Sequence, residues 1–197
     1  MLLSFNKNKW VLVLDADYVL TDKLINEIKK INFKKLEKEK IFGLKIKIYN
    51  KIFGKIIEEN IYPKKILIFK NKNCFYKKIG HSEKLFLNSK IIELSEYVNH
   101  ENLNDILNFS KWKNNQIKYS INESYKICNL SFIKLRNQDK IRRFPPLNII
   151  ILFLYLIFLK KIFWYGKAGF FYLFQRMYYE TILSYSIFKN YIKNFKT

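Results

Sequence analysis

Cysteine is scarce in this 197-residue chain, which narrows the classes of protein to consider. Only Cys74 and Cys128 occur, far apart and without a neighbouring His or Cys at metal-ligand spacing. A disulfide scaffold needs several paired cysteines, and a structural zinc site needs a cluster of such ligands. The cysteine content therefore argues against both and fits a reducing compartment.

Acidic residues are also few. The sequence has 16 Asp and Glu against 37 Lys and Arg, which gives a formal net charge of +21. Such a balance favours anionic partners, namely nucleic acid, an acidic membrane surface or phosphorylated substrates. A coding sequence biased toward A and T would also enrich Lys, Asn, Ile and Phe, so composition alone leaves the origin of the charge open.

Length and apolar content predict a folded protein. A chain of this length holds one ordinary domain, or one domain with an appendage. Nearly half of the residues are apolar and 18% are aromatic, enough to build a core. The opening "MLLSFNKNKW" is too short in apolar residues for a signal peptide.

The first hundred residues read as α/β. A short apolar run predicts a buried strand at 10–14, and Thr21 caps a helix with apolar residues at helical spacing. The lysine-rich "FKKLEKEK" reads as a solvated face or loop. Further strands are predicted at 42–57 (two strands around a turn near Asn50-Lys51), 64–70 and 90–94.

The remainder reads as helical. Apolar residues on roughly one face predict an amphipathic helix from Leu103 onward, its face formed by Leu103, Ile106, Leu107, Trp112, Ile117 and Ile121. Pro145-Pro146 precedes the most apolar segment, where Ile149–Leu159 carries no charge. Because a bilayer span needs ~20 residues, we expect a hydrophobic helical hairpin that contacts a membrane interface. The alternative is a buried helical pair in a soluble core.

Two carboxylates follow the first predicted strand. Alternation places the side chains of Asp15 and Asp17 on the same side of the backbone, with Ala16 on the other. Open α/β sheets bind ligands where their parallel strands end, and we expect such a strand here. Two hard oxygen ligands can hold a divalent cation that neutralises a diphosphate. A strand-end Asp that makes only local turn hydrogen bonds is the alternative.

Phosphohydrolases of the haloacid dehalogenase type also place Asp-x-Asp after an apolar strand. Their motif continues with Gly-Thr or similar and requires a later acidic pair for magnesium. Here Tyr18-Val19 follows, and neither Asp-Asp nor Gly-Asp-x-x-x-Asp occurs downstream. The sequence therefore disfavours this class.

Four segments together resemble family 2 glycosyltransferases with the GT-A fold. "WVLVLDADYVLTDKLINEI" is similar to their metal-binding segment, and "KKILIFKNKNCFYKKIGHSEKL" resembles the strand, basic loop and Gly-His-Thr/Ser element of one bacterial membrane-associated subgroup. "VNHENLNDILNFSKWKNNQIKYSINES" resembles that subgroup's His-led helix. "FPPLNIIILFLYLIFLKKIFWYGKAGFFYLFQRMYYETIL" is similar to its Pro-started hydrophobic hairpin.

The resemblance implies roles for individual residues. Asp15 and Asp17 would bind Mg²⁺ or Mn²⁺ that bridges the diphosphate of a nucleotide-sugar donor. His81 would be the general base on the acceptor hydroxyl, with Glu83 as the second candidate. His100, at the start of the long helix, and Arg176 are further candidates; Arg176 equally fits an i,i+4 pair with Glu180.

The sequence also departs from the family pattern. The chain begins nine residues before Trp10, so the nucleotide-binding half expected of a GT-A enzyme is missing. This implies either a misplaced start or a fragment whose catalysis is in doubt. The family's Arg before the basic loop is replaced by "ILIF". We therefore expect an α/β fold with a truncated GT-A-like mixed sheet, an amphipathic helix and a C-terminal hydrophobic helical hairpin, with domains at 1–100, 101–145 and 146–197.

The function expected from the resemblance is sugar transfer to a lipid-linked or cell-surface glycan acceptor at the cytoplasmic face of the inner membrane, by a peripheral or monotopic protein. No specific nucleic-acid partner is expected, since the sequence has no recognised RNA- or DNA-binding motif. The alternative is a non-enzymatic, basic membrane-surface or nucleic-acid-binding protein, which the charge and interleaved aromatic residues permit.

Overall fold

The chain folds into two compact units, and its strands and helices together confirm the expected mixed α/β class. The computed structural model describes residues 9–71, 74–79, 82–101 and 107–194; of 74–79, 82–84, 193 and 194 it describes the backbone alone. Within the described residues, one unit falls in Met1–Lys77 and Lys84–Asn102, and the other in Lys78–Glu83 and Leu103–Thr197. The boundaries predicted at 100 and 145 stay predictions.

The first unit contains a mixed sheet. Its strands follow the order β1-β5-β3-β8-β2, with β4 added to β3, while β6 and β7 pair separately. The neighbours in this sheet are antiparallel, except that β3 and β8 are parallel. The strands are β1 Trp10–Leu12, β2 Tyr18–Leu20, β3 Ile41–Ile52, β4 Lys55–Ile57, β5 Lys65–Lys70, β6 Cys74–Ile79, β7 Ser82–Leu87 and β8 Lys90–Glu101.

The expectation that the first strand belongs to a parallel sheet is wrong. β1 pairs antiparallel with β5, with Trp10 opposite Lys70 and Leu12 opposite Ile68. Residues 13–17 then lead directly to β2, at the opposite end of the strand order. Val13 still bonds to β5 and Asp17 to β8, and the four steps between them span at most roughly 14 Å. A flat sheet of five strands would separate its edges by about 19 Å, so this sheet curls and its edge strands lie closer together.

Alternation along β3 builds the core of this unit. Leu44, Ile46 and Ile48 are buried on one face, while the lysines between them point to the other. Helices α1 (Asp22–Lys29) and α2 (Phe33–Lys38) each add a buried leucine, Leu24 and Leu36. The lysine-rich segment is a solvated face, one of the two expected alternatives: its lysines are exposed, and its short helix contributes the buried Leu36.

Two further boundaries differ from expectation. The turn between β3 and β4 lies at Phe53-Gly54, not at Asn50-Lys51, and both turn residues have positive φ, 49° and 75°. Two-residue hairpin loops favour this backbone, and glycine adopts it readily. The strand predicted at 90–94 continues as β8 to Glu101, because its outer half pairs with both β3 and β2.

The second unit is helical. Its α-helices are α3 Phe109–Asn129, α4 Asn137–Arg142, α5 Leu147–Leu154 and α6 Lys167–Asn194, with a π-helical turn at Tyr155–Leu159 and a 3₁₀ turn at Ile162–Tyr165. The predicted start of a helix after Pro145-Pro146 is confirmed by α5. Among the residues that the structure describes, no helix combines the length and the apolar character needed to cross a bilayer.

The packed face of α3 differs from the predicted one. Trp112 is buried, but Ile117 and Ile121 are more than one-third exposed, and Ser120 and Ser124 are buried in their place. The reason is that α3 contacts α6 partly through polar groups: the side-chain amide of Asn190 donates to Ser124 Oγ at 3.1 Å. Leu103 and Ile106 lie outside the described residues.

Candidate functional site

The two carboxylates lie in the connection between the edge strands of the curled sheet. Main-chain bonds hold this connection at both ends: Val13 N–H donates to the Leu67 carbonyl at 2.8 Å, and Glu101 N–H donates to the Asp17 carbonyl at 2.9 Å. Between them, Tyr18 N–H closes a turn onto the Asp15 carbonyl at 3.0 Å. The Asp15 and Asp17 side chains are 58% and 38% exposed, so both reach solvent.

Lys65, the first residue of β5, places an ammonium against the first carboxylate. Its Nζ donates to Asp15 Oδ2 at 3.0 Å and to the Tyr18 hydroxyl at 2.8 Å, and lies 6.0 Å from the centre of the Tyr62 ring. Burial, reinforced by Tyr62 and Asp15, raises the pKa of Tyr18 far above its usual range. The hydroxyl is therefore neutral and serves Lys65 as an acceptor.

His100 holds the second carboxylate. Its Nε2 lies 2.8 Å from Asp17 Oδ2, and its ring meets the edges or faces of Tyr18 and Tyr62 at centroid distances of 5.5 and 5.2 Å. The hydrogen bond from His100 is the main cause that lowers the pKa of Asp17, and it outweighs the opposing effect of partial burial. Asp17 is therefore ionised at neutral pH.

The second ring nitrogen of His100 contacts a buried side-chain amide. His100 Nδ1 lies 2.7 Å from Asn50 Oδ1, in the core side of β3. As placed, both ring nitrogens face oxygen atoms, Asn50 Oδ1 and Asp17 Oδ2. Within the described part of the chain the buried Nδ2 of Asn50 then has no partner. Rotation of this amide would present its NH₂ group to Nδ1, so the orientation of the amide decides whether Nδ1 donates or accepts.

The structure brings together three of the predicted site residues. Pairing of β2 with β8 sets Tyr18 opposite His100, which places the imidazole beside Asp17. His100 therefore lies in a strand, which corrects its expected position at the start of the long helix. Asp15 is held nearby by Lys65, on the same connection.

The remaining predicted residues lie elsewhere. His81 lies outside the described residues, and the side chain of Glu83, in β7, lies outside them as well. Arg176 is in α6 of the helical unit, with its guanidinium carbon 5.1 Å from the centre of the Tyr172 ring. Glu180 accepts from Arg142 Nε at 3.0 Å and from the Asn148 amide at 3.2 Å, and both donors lie on other helices.

Sequence reasoning missed Lys65, Tyr62 and Asn50. Lys65 lies 50 positions from Asp15, and only the antiparallel pairing of β5 beside β1 brings them together. Asn50 carried a readable signal, because it is the one polar residue among the inward positions Leu44, Ile46, Ile48, Asn50 and Ile52 of β3. Such a residue in an apolar face predicts a specific hydrogen bond.

The donor set suits a hard divalent cation. Mg²⁺ is commonly bound by one or two carboxylates, with water and substrate phosphates as the other ligands. Asp15 and Asp17 supply two exposed carboxylates, and the Lys65 ammonium already stands as a cation beside the first. In the described part of the chain, no group of three or more His, Cys, Asp or Glu side chains lies close enough to hold a metal by itself. The two carboxylates could supply protein ligands to such a cation, whose other ligands would have to be water or a bound phosphate.

Comparison with known proteins adds no assignment. The scan against family models, the search of curated proteins and the search of solved structures each returned no match.

Proposed function

We propose that the chain is the metal-binding and acceptor-side part of a bacterial family 2 glycosyltransferase with the GT-A fold. It would move a sugar from a nucleotide-sugar donor to a lipid-linked or cell-surface glycan acceptor in cell-envelope biosynthesis. The observation that supports this is the pair of exposed carboxylates at the junction of two sheet edges, Asp15 held by the Lys65 ammonium and Asp17 by the His100 ring. In this proposal the sheet is part of a GT-A-like sheet, and α5 with α6 is the hydrophobic hairpin.

The carboxylates would bind the donor through Mg²⁺ or Mn²⁺. Asp15 and Asp17 would hold the cation, which when bound neutralises charge on the departing nucleoside diphosphate. His100 keeps Asp17 ionised and fixes its orientation. Lys65 compensates the negative charge of Asp15, and its ammonium would also attract a bound diphosphate.

The acceptor side rests on the family resemblance. In an inverting transfer, the acceptor oxygen bonds to the anomeric carbon while the bond from that carbon to the phosphate oxygen breaks. The acceptor proton would pass to His81, with Glu83 as the second candidate. Arg176 stays a further candidate for a phosphate contact, and we place the protein at the cytoplasmic face of the inner membrane, peripheral or monotopic.

Asp17→Asn tests the proposal. We expect Mn²⁺-dependent binding and turnover of nucleotide sugars to fall by at least about tenfold, because a charged ligand and its hydrogen bond to His100 are lost. Asp22→Asn is the matched control, since Asp22 is an exposed aspartate in the first turn of α1. Equal binding and turnover in wild type and Asp17→Asn would contradict a role for the carboxylate pair.

A second candidate is a non-enzymatic, basic membrane-surface or nucleic-acid-binding protein. The observation in its favour is the net charge of +21 together with large exposed aromatic residues such as Trp164 and Phe158. Salt-dependent binding to generic DNA, without any response to nucleotide sugars, would favour nucleic acid. Vesicle binding without nucleotide-sugar binding would favour a membrane-surface protein.

A further inference from the structure

Helix α5 exposes its apolar residues and buries a polar one. The residues at helical spacing along its outer face, continued through the π-helical turn, are between 41% and 67% exposed: Leu147, Ile150, Ile151, Leu154 and Phe158. The buried face carries Asn148, which is 4% exposed. A helix on the surface of a water-soluble domain shows the opposite arrangement.

Both the donor and the acceptor of the buried Asn148 amide are hydrogen-bonded, which fixes the orientation of α5. Asn148 donates to Glu180 Oε2 at 3.2 Å and accepts from Ser184 Oγ at 3.0 Å. Both partners belong to α6. Turning α5 to hide its apolar face would leave these buried groups unpaired, which is costly. The outward apolar face is therefore part of the folded unit.

Further exposed apolar residues follow in the turn after α5 and at the start of α6. Leu159, Trp164 and Phe170 are 72%, 71% and 60% exposed. The 3₁₀ turn lies so close to α6 that a methyl group on Gly169 would come within 2.0 Å of the Ile162 carbonyl oxygen. This close packing holds Trp164 outward on a rigid turn. We call Leu147, Ile150, Ile151, Leu154, Phe158, Leu159, Trp164 and Phe170 the apolar surface.

Charge around this surface has one sign. No Asp or Glu occurs between Asp139 and Glu180, and Lys160, Lys161 and Lys167 lie within the apolar surface or directly beside it in sequence. An anionic lipid bilayer complements both properties, because its acyl region takes the apolar side chains and its phosphates attract the lysines. Trp is the side chain that membrane interfaces favour.

A second copy of the chain fits less well. Two copies that paired through the apolar surface would bring their lysines together without an acidic residue to compensate them, and like charges in a contact oppose association. We propose that the apolar surface docks in the plane of an anionic membrane interface, with Phe158 and Trp164 inserted and Lys160 and Lys161 at the lipid phosphates. This inference specifies the contact behind the membrane location in the proposed function, and it does not require sugar transfer.

Vesicle flotation of the full chain tests the inserted residues. Wild type is expected to float with vesicles of phosphatidylcholine and phosphatidylglycerol, and much less with phosphatidylcholine alone. Phe158→Asp/Trp164→Asp should bind the anionic vesicles at least about tenfold more weakly, because both aromatic side chains that would insert into the bilayer are replaced. Phe188→Asp, at a residue 55% exposed near the far end of α6, is the matched control and should stay within about twofold of wild type.

A charge pair gives a second, independent measurement. Lys160→Gln/Lys161→Gln should lose about fivefold in affinity per lysine for anionic vesicles, while Lys111→Gln/Lys113→Gln on exposed positions of α3 should lose less. Circular dichroism checks that each variant is folded. If the aspartate variant is unfolded, the affinity of the glutamine variant and the salt dependence of wild-type binding test the proposal instead.

Three outcomes would overturn the proposal. The first is wild-type flotation that does not depend on phosphatidylglycerol, and the second is unchanged flotation of both variants. The third is a concentration-dependent dimer that Phe158→Asp/Trp164→Asp dissociates, which would assign the apolar surface to a second copy. If the wild-type protein binds anionic vesicles but does not turn over nucleotide sugars, the result counts against the transferase proposal alone.

Discussion

Replacement of Lys65 by methionine should strengthen metal binding at Asp15. The ammonium lies 3.0 Å from the Asp15 carboxylate, and the two side chains are 42% and 58% exposed. A pair this exposed contributes only about 0.2–1 kcal/mol. A divalent cation that binds Asp15 must displace this contact, so its removal should raise the affinity by about 1.5- to 5-fold.

Electron paramagnetic resonance of free Mn²⁺, titrated with protein in the absence of nucleotide, measures this change. Lys64→Met is the matched control: Lys64 is the neighbouring residue, is 41% exposed and pairs with Glu93 instead. It removes the same charge without touching Asp15. When Asp15→Asn is added to Lys65→Met, the increase in Mn²⁺ affinity should disappear. The reasoning is refuted if Lys65→Met binds Mn²⁺ no more tightly than Lys64→Met.

Two further predictions concern stability. The pKa of Asp17 is lowered from 3.8 mainly by His100, so its stabilising contribution is complete above that ordinary value and is lost as pH falls through the lower folded pKa. The free energy of unfolding of Asp17→Asn, followed by urea unfolding between about pH 5 and pH 2, should fall less steeply than that of wild type; parallel curves would refute the pairing. Glu180→Gln should lower the free energy of unfolding by about 1.5–3 kcal/mol, because the Arg142 guanidinium, 16% exposed, loses one of its two carboxylate partners and keeps Asp139. A loss below about 1 kcal/mol would show that the pair is exposed in solution.

Local signals in the sequence predicted single elements well. Thr21 was predicted as a cap, and its hydroxyl accepts from Leu24 N–H at 3.2 Å. The start of α5 after two prolines is confirmed for the same reason: both are decided by a few neighbouring residues. The strand at 64–70 was recognisable as β5 from its apolar run.

Strand pairing was beyond reach of the same reasoning. No local pattern indicates that β1 pairs with β5 or that β8 pairs with β2, because these contacts join distant residues. Leu12 and its partner Ile68 are 56 positions apart, and Asp17 and His100 are 83 positions apart. The long-range partners of the carboxylates therefore stayed hidden. The prediction for the inward face of α3 was wrong for another reason. Serines line this face, whereas an apolar pattern predicts that the isoleucines are buried.

The curl of the sheet makes the carboxylate site sensitive to local opening. β2 has three residues and lies at an edge of the sheet, and short edge elements open at lower free energy than the whole domain unfolds. When β2 leaves β8, Asp17 leaves His100, although the rest of the sheet can stay folded. A ligand that bound both carboxylates would join the two edges and suppress this opening, so its affinity would be measurable as slower amide exchange in β2 and as a raised melting temperature.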